Sequence, residues 1–145
     1  MTKNSMIQFS MNKISVEQFA ILSDNIPTND PDVRFGASID FKADTTNRLI
    51  ACETKFIFED CDKPFMKLDI QCTFDIEKCD WNKLANKDKQ IVIPQLFLCH
   101  IAMHTIGTAR GILHQKTEST PFNIFIIPPI DIEEIIKNNF TIQNQ

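Results

Sequence analysis

Histidine and cysteine are the residue types here best suited to chemistry, and their spacing decides what they can do. His100 and His104 stand four apart in a segment of helical pattern, the spacing by which a helix offers two metal ligands from one face. No acid lies between them to act as a base. Cys99 points about 100° away around the helix, so the same segment supplies no third ligand. Contacts across a helical interface, or hydrogen bonds to polar groups, are the expected duty of the pair, and neither metal nor cofactor is expected. Five cysteines (Cys52, Cys61, Cys72, Cys79, Cys99) form an odd set without a C-x-x-C pair, which fits neither a disulfide framework nor a zinc ribbon. Reduced, mostly buried thiols are expected. A nucleophilic Cys99 or Cys61 lacks an orienting signature. With three glycines in the whole chain there is no phosphate-cradling loop and no G-x-S-x-G elbow. The residue types argue against an enzyme and for a binding protein.

The composition points the same way. Twelve phenylalanines and no tyrosine supply broad apolar surface with few polar handles, which suits packing and nonspecific apolar contact. A formal charge of -4, with no run of Lys or Arg, lacks the electrostatic footprint of a nucleic-acid binder. The first residues lead into an alternating segment and not into an apolar leader, and no stretch approaches the ~18 apolar residues of a membrane span. A cytoplasmic protein without membrane insertion is expected. At 145 residues the chain forms one domain, residues 1–145, with one core.

The elements that must position these side chains are strands first and helices last, an α+β class. From Met66 to Ile76 every second residue is apolar (Met66, Leu68, Ile70, Cys72, Phe74, Ile76) while Lys67, Asp69, Gln71, Thr73 and Asp75 alternate with them, the signature of a one-sided strand. Ile50 to Phe58 and Val33 to Ala43 repeat the pattern. Asp60-Cys61-Asp62-Lys63 and Asp44-Thr45-Thr46-Asn47 read as the turns between them. Ile7, Phe9 and Met11 give a shorter strand before these. The stretch from Ile14 to Asp32 is too long for a hairpin loop and too apolar for a solvated one, and reads as a crossover that covers something apolar. A four-stranded antiparallel sheet with one wet face follows.

After Pro94 no proline intervenes until Pro121, and apolar residues go most of the way round a helix from Pro94 to about Gln115. One sheet face covers one side of such a helix, so the other side is expected to meet a second subunit. Ala102, Ile106, Ala109, Gly111 and Leu113 are the expected interface. The prolines of the next segment forbid helix, and Asp131 then opens a short helix from Ile132 to about Asn138.

Thr108-Ala109-Arg110-Gly111-Ile112-Leu113, then Thr120-Pro121-Phe122-Asn123, then Ile127-Pro128-Pro129-Ile130-Asp131 resemble the SecB and SecB-like chaperones. That family carries an aromatic- or alanine-arginine step in its long helix, a Thr-Pro or Thr-Phe-Pro turn and a Pro-[Val/Ile]-[Asn/Asp] entry to its last helix, and the resemblance covers nearly the whole chain. It implies a four-stranded antiparallel sheet, a long crossover after the first strand, one long and one short C-terminal helix, and a homotetrameric dimer of dimers with the long helices between sheets. It also implies a holdase for unfolded clients and preproteins which, in housekeeping members, passes them to the SecA export motor. The motor contact of the family relies on acids. Matching by motif puts Lys13 and Lys67 at such positions, and only Glu17 keeps the sign.

Two functional readings result: a general holdase, with a part in protein export, or a dedicated chaperone for one partner, such as the antitoxin of a toxin-antitoxin pair. Both would use apolar grooves and strand edges. The crossover segment Phe19-Ala20-Ile21-Leu22 is either core under a long loop or the floor of a client groove with Phe122 and Phe125 on the opposite wall; on the second reading Phe19, Ile21, Leu22, Phe122 and Phe125 are the client-binding residues.

Overall fold

The computed structural model describes residues 6–27 and 33–143. Four strands, β1 (Phe9–Ile21), β2 (Val33–Asp44), β3 (Leu49–Asp60) and β4 (Lys63–Ile76), form one antiparallel sheet in the order β1-β4-β3-β2. Strand β3 joins β4 through the two-residue turn Cys61-Asp62, both with positive φ (51° and 64°), the backbone that matches the twist of a tight hairpin. The β2–β3 turn is held by Asp44, whose carboxylate accepts from the Asn47 N–H (3.1 Å) and side-chain amide (2.8 Å).

The first strand corrects the sequence reading. It does not end near Met11 but runs to Ile21, so Phe19 and Ile21 lie in a strand, and the described part of the segment that follows is residues 22–27. Register shifts against β4 fall between Met11 and Lys13 and between Val16 and Gln18. Each inserts one residue and flips the parity of the alternation, so the inner face reads Phe9, Met11, then Ile14, Val16, then Phe19, Ile21. A strict period of two fails across this stretch although the strand is continuous. The crossover call over 28–32 lies outside the described residues.

Helix α1 (Lys78–Lys83) follows β4 in the polar stretch. The Glu77 carboxylate caps it by accepting from the Asp80 N–H (3.2 Å), and Asp80 in turn accepts from the Gln8 N–H (2.8 Å), which pins the start of β1. Helix α2 (Gln95–Lys116) lies on β3 and β4. By length and composition alone it could cross a membrane, contrary to the expectation above. Its apolarity is that of a core helix: Leu98, Ile101, Ala102, Thr105, Ile106, Ala109 and Leu113 are all buried.

The C-terminal segment departs most from expectation. Helix α3 (Ile132–Ile135) is a single turn that does not reach Asn138. Instead Ile136 turns extended, its carbonyl accepting from Gln95 Nε2 (2.8 Å), and the chain enters β6 (Phe140–Gln143), which pairs with β5 (Gln90–Ile93) in a second, two-stranded sheet. Neither short strand was legible: four residues give too few repeats of a period-two pattern to stand out.

Candidate functional site

A four-stranded sheet is roughly 15–20 Å wide at ~4.8 Å per strand, whereas one helix is about 10 Å across. Helix α2 therefore covers β3 and β4 and leaves the inner faces of both edge strands to other parts of the chain. On the β2 side the C-terminal segment fills the gap, with Phe140 against Phe41 (6.4 Å between ring centroids) and Phe125 against Phe58 (5.9 Å). On the β1 side α2 reaches Phe9 and Phe19 at the ends of the strand but leaves its middle open: Met11, Ile14 and Val16 are 38%, 50% and 41% exposed although they stand beside buried Phe74, Cys72 and Ile70 of β4.

Of the five expected client-binding residues, Phe122 and Phe125 meet around Phe65 at the sheet end that carries the β3–β4 turn, Ile21 and Leu22 reach that end along β1, and Phe19 lies farther along β1 opposite Leu68. Phe19 and Ile21 close the inner face of β1, and the Leu22 N–H just beyond donates to the Phe65 carbonyl (2.8 Å). Phe65, itself buried, lies 6.1 Å from Phe122 and 5.0 Å from Phe125. Phe65 is thus the hub that joins the two walls. Phe58 (6.1 Å from Phe65) and Phe35 (5.1 Å from Phe58) extend the cluster toward β2. A cavity of about 230 Å³ opens beside it, lined by Leu22, Ser23, Asn25, Pro27, Pro64 and Phe65 among others. Leu22, one of its lining residues, is 53% exposed, and Ile124 and Ile126, which flank Phe125 in sequence, are 68% and 56% exposed. Lys116 places its ammonium 5.8 Å from the centre of the Phe19 ring, the one cationic group recorded over an aromatic face among the described residues.

Sequence reasoning missed Phe35, Phe58, Phe65, Ile124 and Ile126. Phe35 and Phe58 were legible only as members of an apolar strand face. That Phe58 sits against Phe125 and carries Phe35 with it follows from antiparallel pairing, which sets the start of β2 beside the end of β3.

The helix residues assigned to a subunit interface need correction. Ala102, Ala109 and Leu113 are 0% exposed and Ile106 is 3% exposed, all against the chain's own sheet side. Gly111 alone of the five faces outward, and with it Gly107, Leu96 and Met103. A Cβ built on Gly107 or Gly111 meets nothing within 4 Å. The error has a simple cause: small and apolar residues on a helix look alike whether a sheet or a second helix lies against them.

His100 and His104 do project together, with ring centroids 4.8 Å apart at right angles, and both pack edgewise on Phe9 (5.4 and 5.8 Å). They form aromatic packing at the start of the open strip, and no group of three or more metal-ligating side chains occurs among the described residues. Cys52 and Cys72 are buried cross-strand neighbours. Burial pushes the Cys52 thiol up to about 12 and raises that of Cys72, away from the thiolate a nucleophile needs. Burial also raises Cys99. Cys61 and Cys79 are exposed, so the expectation of mostly buried thiols holds for Cys52 and Cys72 and fails for these two.

The outer face of the sheet is of mixed sign. Glu53 lies between Lys42 (3.8 Å) and Lys55 (3.5 Å), and burial raises the Asp69 carboxyl while Lys55 opposes the shift. Lys13 and Glu17 are both exposed on β1.

No protein-family model matches this chain, and no curated protein sequence does so. Among solved structures it is similar to the Mycobacterium tuberculosis SecB-like chaperone Rv1957 in complex with a ChAD peptide from the Rv1956 HigA1 antitoxin. The TM-score is 0.52 at 8% identity, over 85% of this chain and 91% of that one. A Streptococcus agalactiae protein of unknown function aligns over 87% of this chain and 99% of its own, with a TM-score of 0.41 and 11% identity. At 8% identity the likeness to the mycobacterial protein is one of fold alone.

Proposed function

We propose that the chain is a non-enzymatic, cytoplasmic chaperone subunit that holds extended apolar segments of unfolded client chains. The observation that supports this is the cluster of Phe122 and Phe125 around Phe65, with the end of β1 bonded to Phe65 through Leu22, beside a cavity and near exposed Leu22, Ile124 and Ile126. An unfolded chain offers apolar side chains along an extended backbone. Each large one that the site fully buries contributes ~1.5–3 kcal/mol without reading sequence.

A homo-oligomer belongs to the same proposal, now through a different face. The free edge of β1, with its exposed Met11, Ile14 and Val16, and the outward Gly107 and Gly111 of α2 are the surfaces to which a second copy would pair. Two such dimers would make the dimer of dimers that the resemblance implies. Delivery to the SecA motor would rest on Glu17, because Lys13 and Lys67 reverse the sign at the other acidic positions that the resemblance implies.

A dedicated role is the second reading. The mycobacterial SecB-like chaperone of similar fold is in complex with a peptide from an antitoxin, which supports a reading in which this chain serves one partner segment.

The test uses Leu22→Asp and Ile124→Asp together. Both side chains are more than half exposed, so the fold should survive, while a carboxylate at each rim penalises an apolar client. Wild type should delay aggregation of a chemically denatured model protein at stoichiometric ratio, and the double variant should lose most of that protection. Equal protection by both would place client binding elsewhere.

A further inference from the structure

Resting on that chaperone reading, we propose that residues Phe125–Pro128 form a displaceable strap: the chain's own pseudo-client occupies the aromatic site, and Arg110 latches it. The strap has the chemistry of a client. It is extended, proline-bounded and apolar, with Phe125 seated 5.9 Å from Phe58 and 5.0 Å from Phe65, Ile126 56% exposed and Ile127 1% exposed.

Its two flanks are hydrogen-bonded to α2, whereas its middle is held by the packing of Phe125 and buried Ile127 and by the side chain of one residue, Arg110. Upstream, the Asn123 amide donates to the His114 carbonyl (2.9 Å) and to Thr117 Oγ1 (3.1 Å) at the end of α2. Downstream, Gln95 at the start of α2 donates from Nε2 to the Ile136 carbonyl (2.8 Å) and from its backbone N–H to Asn139 Oδ1 (2.8 Å). Between them the strap pairs with no strand. Beyond the Phe125 N–H, which donates to the Phe122 carbonyl at the turn, the hydrogen bonds recorded for it come from Arg110: Nε to the Ile127 carbonyl (2.7 Å) and Nη2 to the Pro128 carbonyl (3.1 Å). A segment tethered at both ends and fastened in the middle by one side chain can bow outward without unravelling either flank.

A client phenylalanine would then take the place of Phe125 against Phe58 and Phe65. The apparent affinity is the intrinsic affinity reduced by the fraction of molecules whose strap is open. Cutting the latch should raise that fraction, and removing the Phe125 ring should do the same from the other side.

The experiment titrates a fluorescent, permanently unfolded probe, reduced and carboxymethylated α-lactalbumin, against wild type, Arg110→Ala and Phe125→Ala, with melting curves to verify folding. The isoleucine methyl spectrum of wild type is followed in parallel. Expected are a Kd about tenfold tighter in Arg110→Ala, consistent with loss of two charge-assisted hydrogen bonds, and a tighter one in Phe125→Ala. The Ile127 methyl signal of wild type should move as probe is added. Equal or weaker binding by both folded variants overturns the strap and makes Phe125 a fixed wall of the site. If neither wild type nor variant binds the probe, the chaperone reading itself falls, and the strap with it.

Discussion

Replacing Gly111 by leucine separates the chain's own packing from packing between chains. Within one chain a Cβ at Gly111 meets nothing within 4 Å, so the new side chain projects into open space. It also removes a residue that weakens a helix interior, a gain of ~0.8 kcal/mol. The isolated subunit should therefore be at least as stable as wild type. If the outward stripe of α2 packs against a second copy, inserted volume costs ~1–3 kcal/mol per site, and a two-fold interface contains the substitution twice. The resulting ~2–6 kcal/mol corresponds to a dimer Kd weakened roughly 30-fold to 10⁴-fold at ~1.4 kcal/mol per decade. Ala109→Leu is the control: Ala109 is 0% exposed inside the subunit, so the same enlargement there should lower the melting temperature of the chain itself. Size exclusion with light scattering, run across micromolar concentrations, reads the mass, and a thermal melt reads the stability. Unchanged mass in a folded Gly111→Leu protein would refute the placement of the interface on this face.

Ile101→Ala, at a 0% exposed position beneath the sheet, should cost ~2–5 kcal/mol, whereas Met103→Ala, 53% exposed, should stay within ~0.5 kcal/mol. Denaturant titration of both variants checks this, and equal losses would contradict the orientation of α2. A thiol reagent at mild pH should modify Cys61 and Cys79 in the native state and reach Cys52 and Cys72 only on unfolding, read by peptide mapping. The raised Cys52 thiol also makes an alkaline prediction. From its ordinary value of 9.0 up to about 12 the unfolded chain ionises while the folded one does not, so stability is intact below 9 and falls above it by up to ~1.4 kcal/mol per pH unit. Cys52→Val should flatten that slope, and an unchanged slope would assign it to other groups.

The sequence by itself determined the hairpin of β3 and β4, strand β2 and helix α2, because each repeats its period often enough to be read without a neighbour. It also determined that the candidate site would be apolar, since Phe19, Ile21, Leu22, Phe122 and Phe125 are too apolar for the loops they flank. Tertiary structure decided the rest. Two bulges carried β1 through a stretch whose broken alternation hid a strand, which moved Phe19 and Ile21 from a loop to a sheet edge. Pairing of β5 with β6 cut the last helix to one turn. The helix face that sequence gave to a second subunit went to the chain's own core, because an apolar stripe states that it will be buried and not what will bury it. Phe65 became the centre of the site for the same reason: residues far apart in the chain meet only through strand pairing, a register that one-dimensional periodicity does not contain.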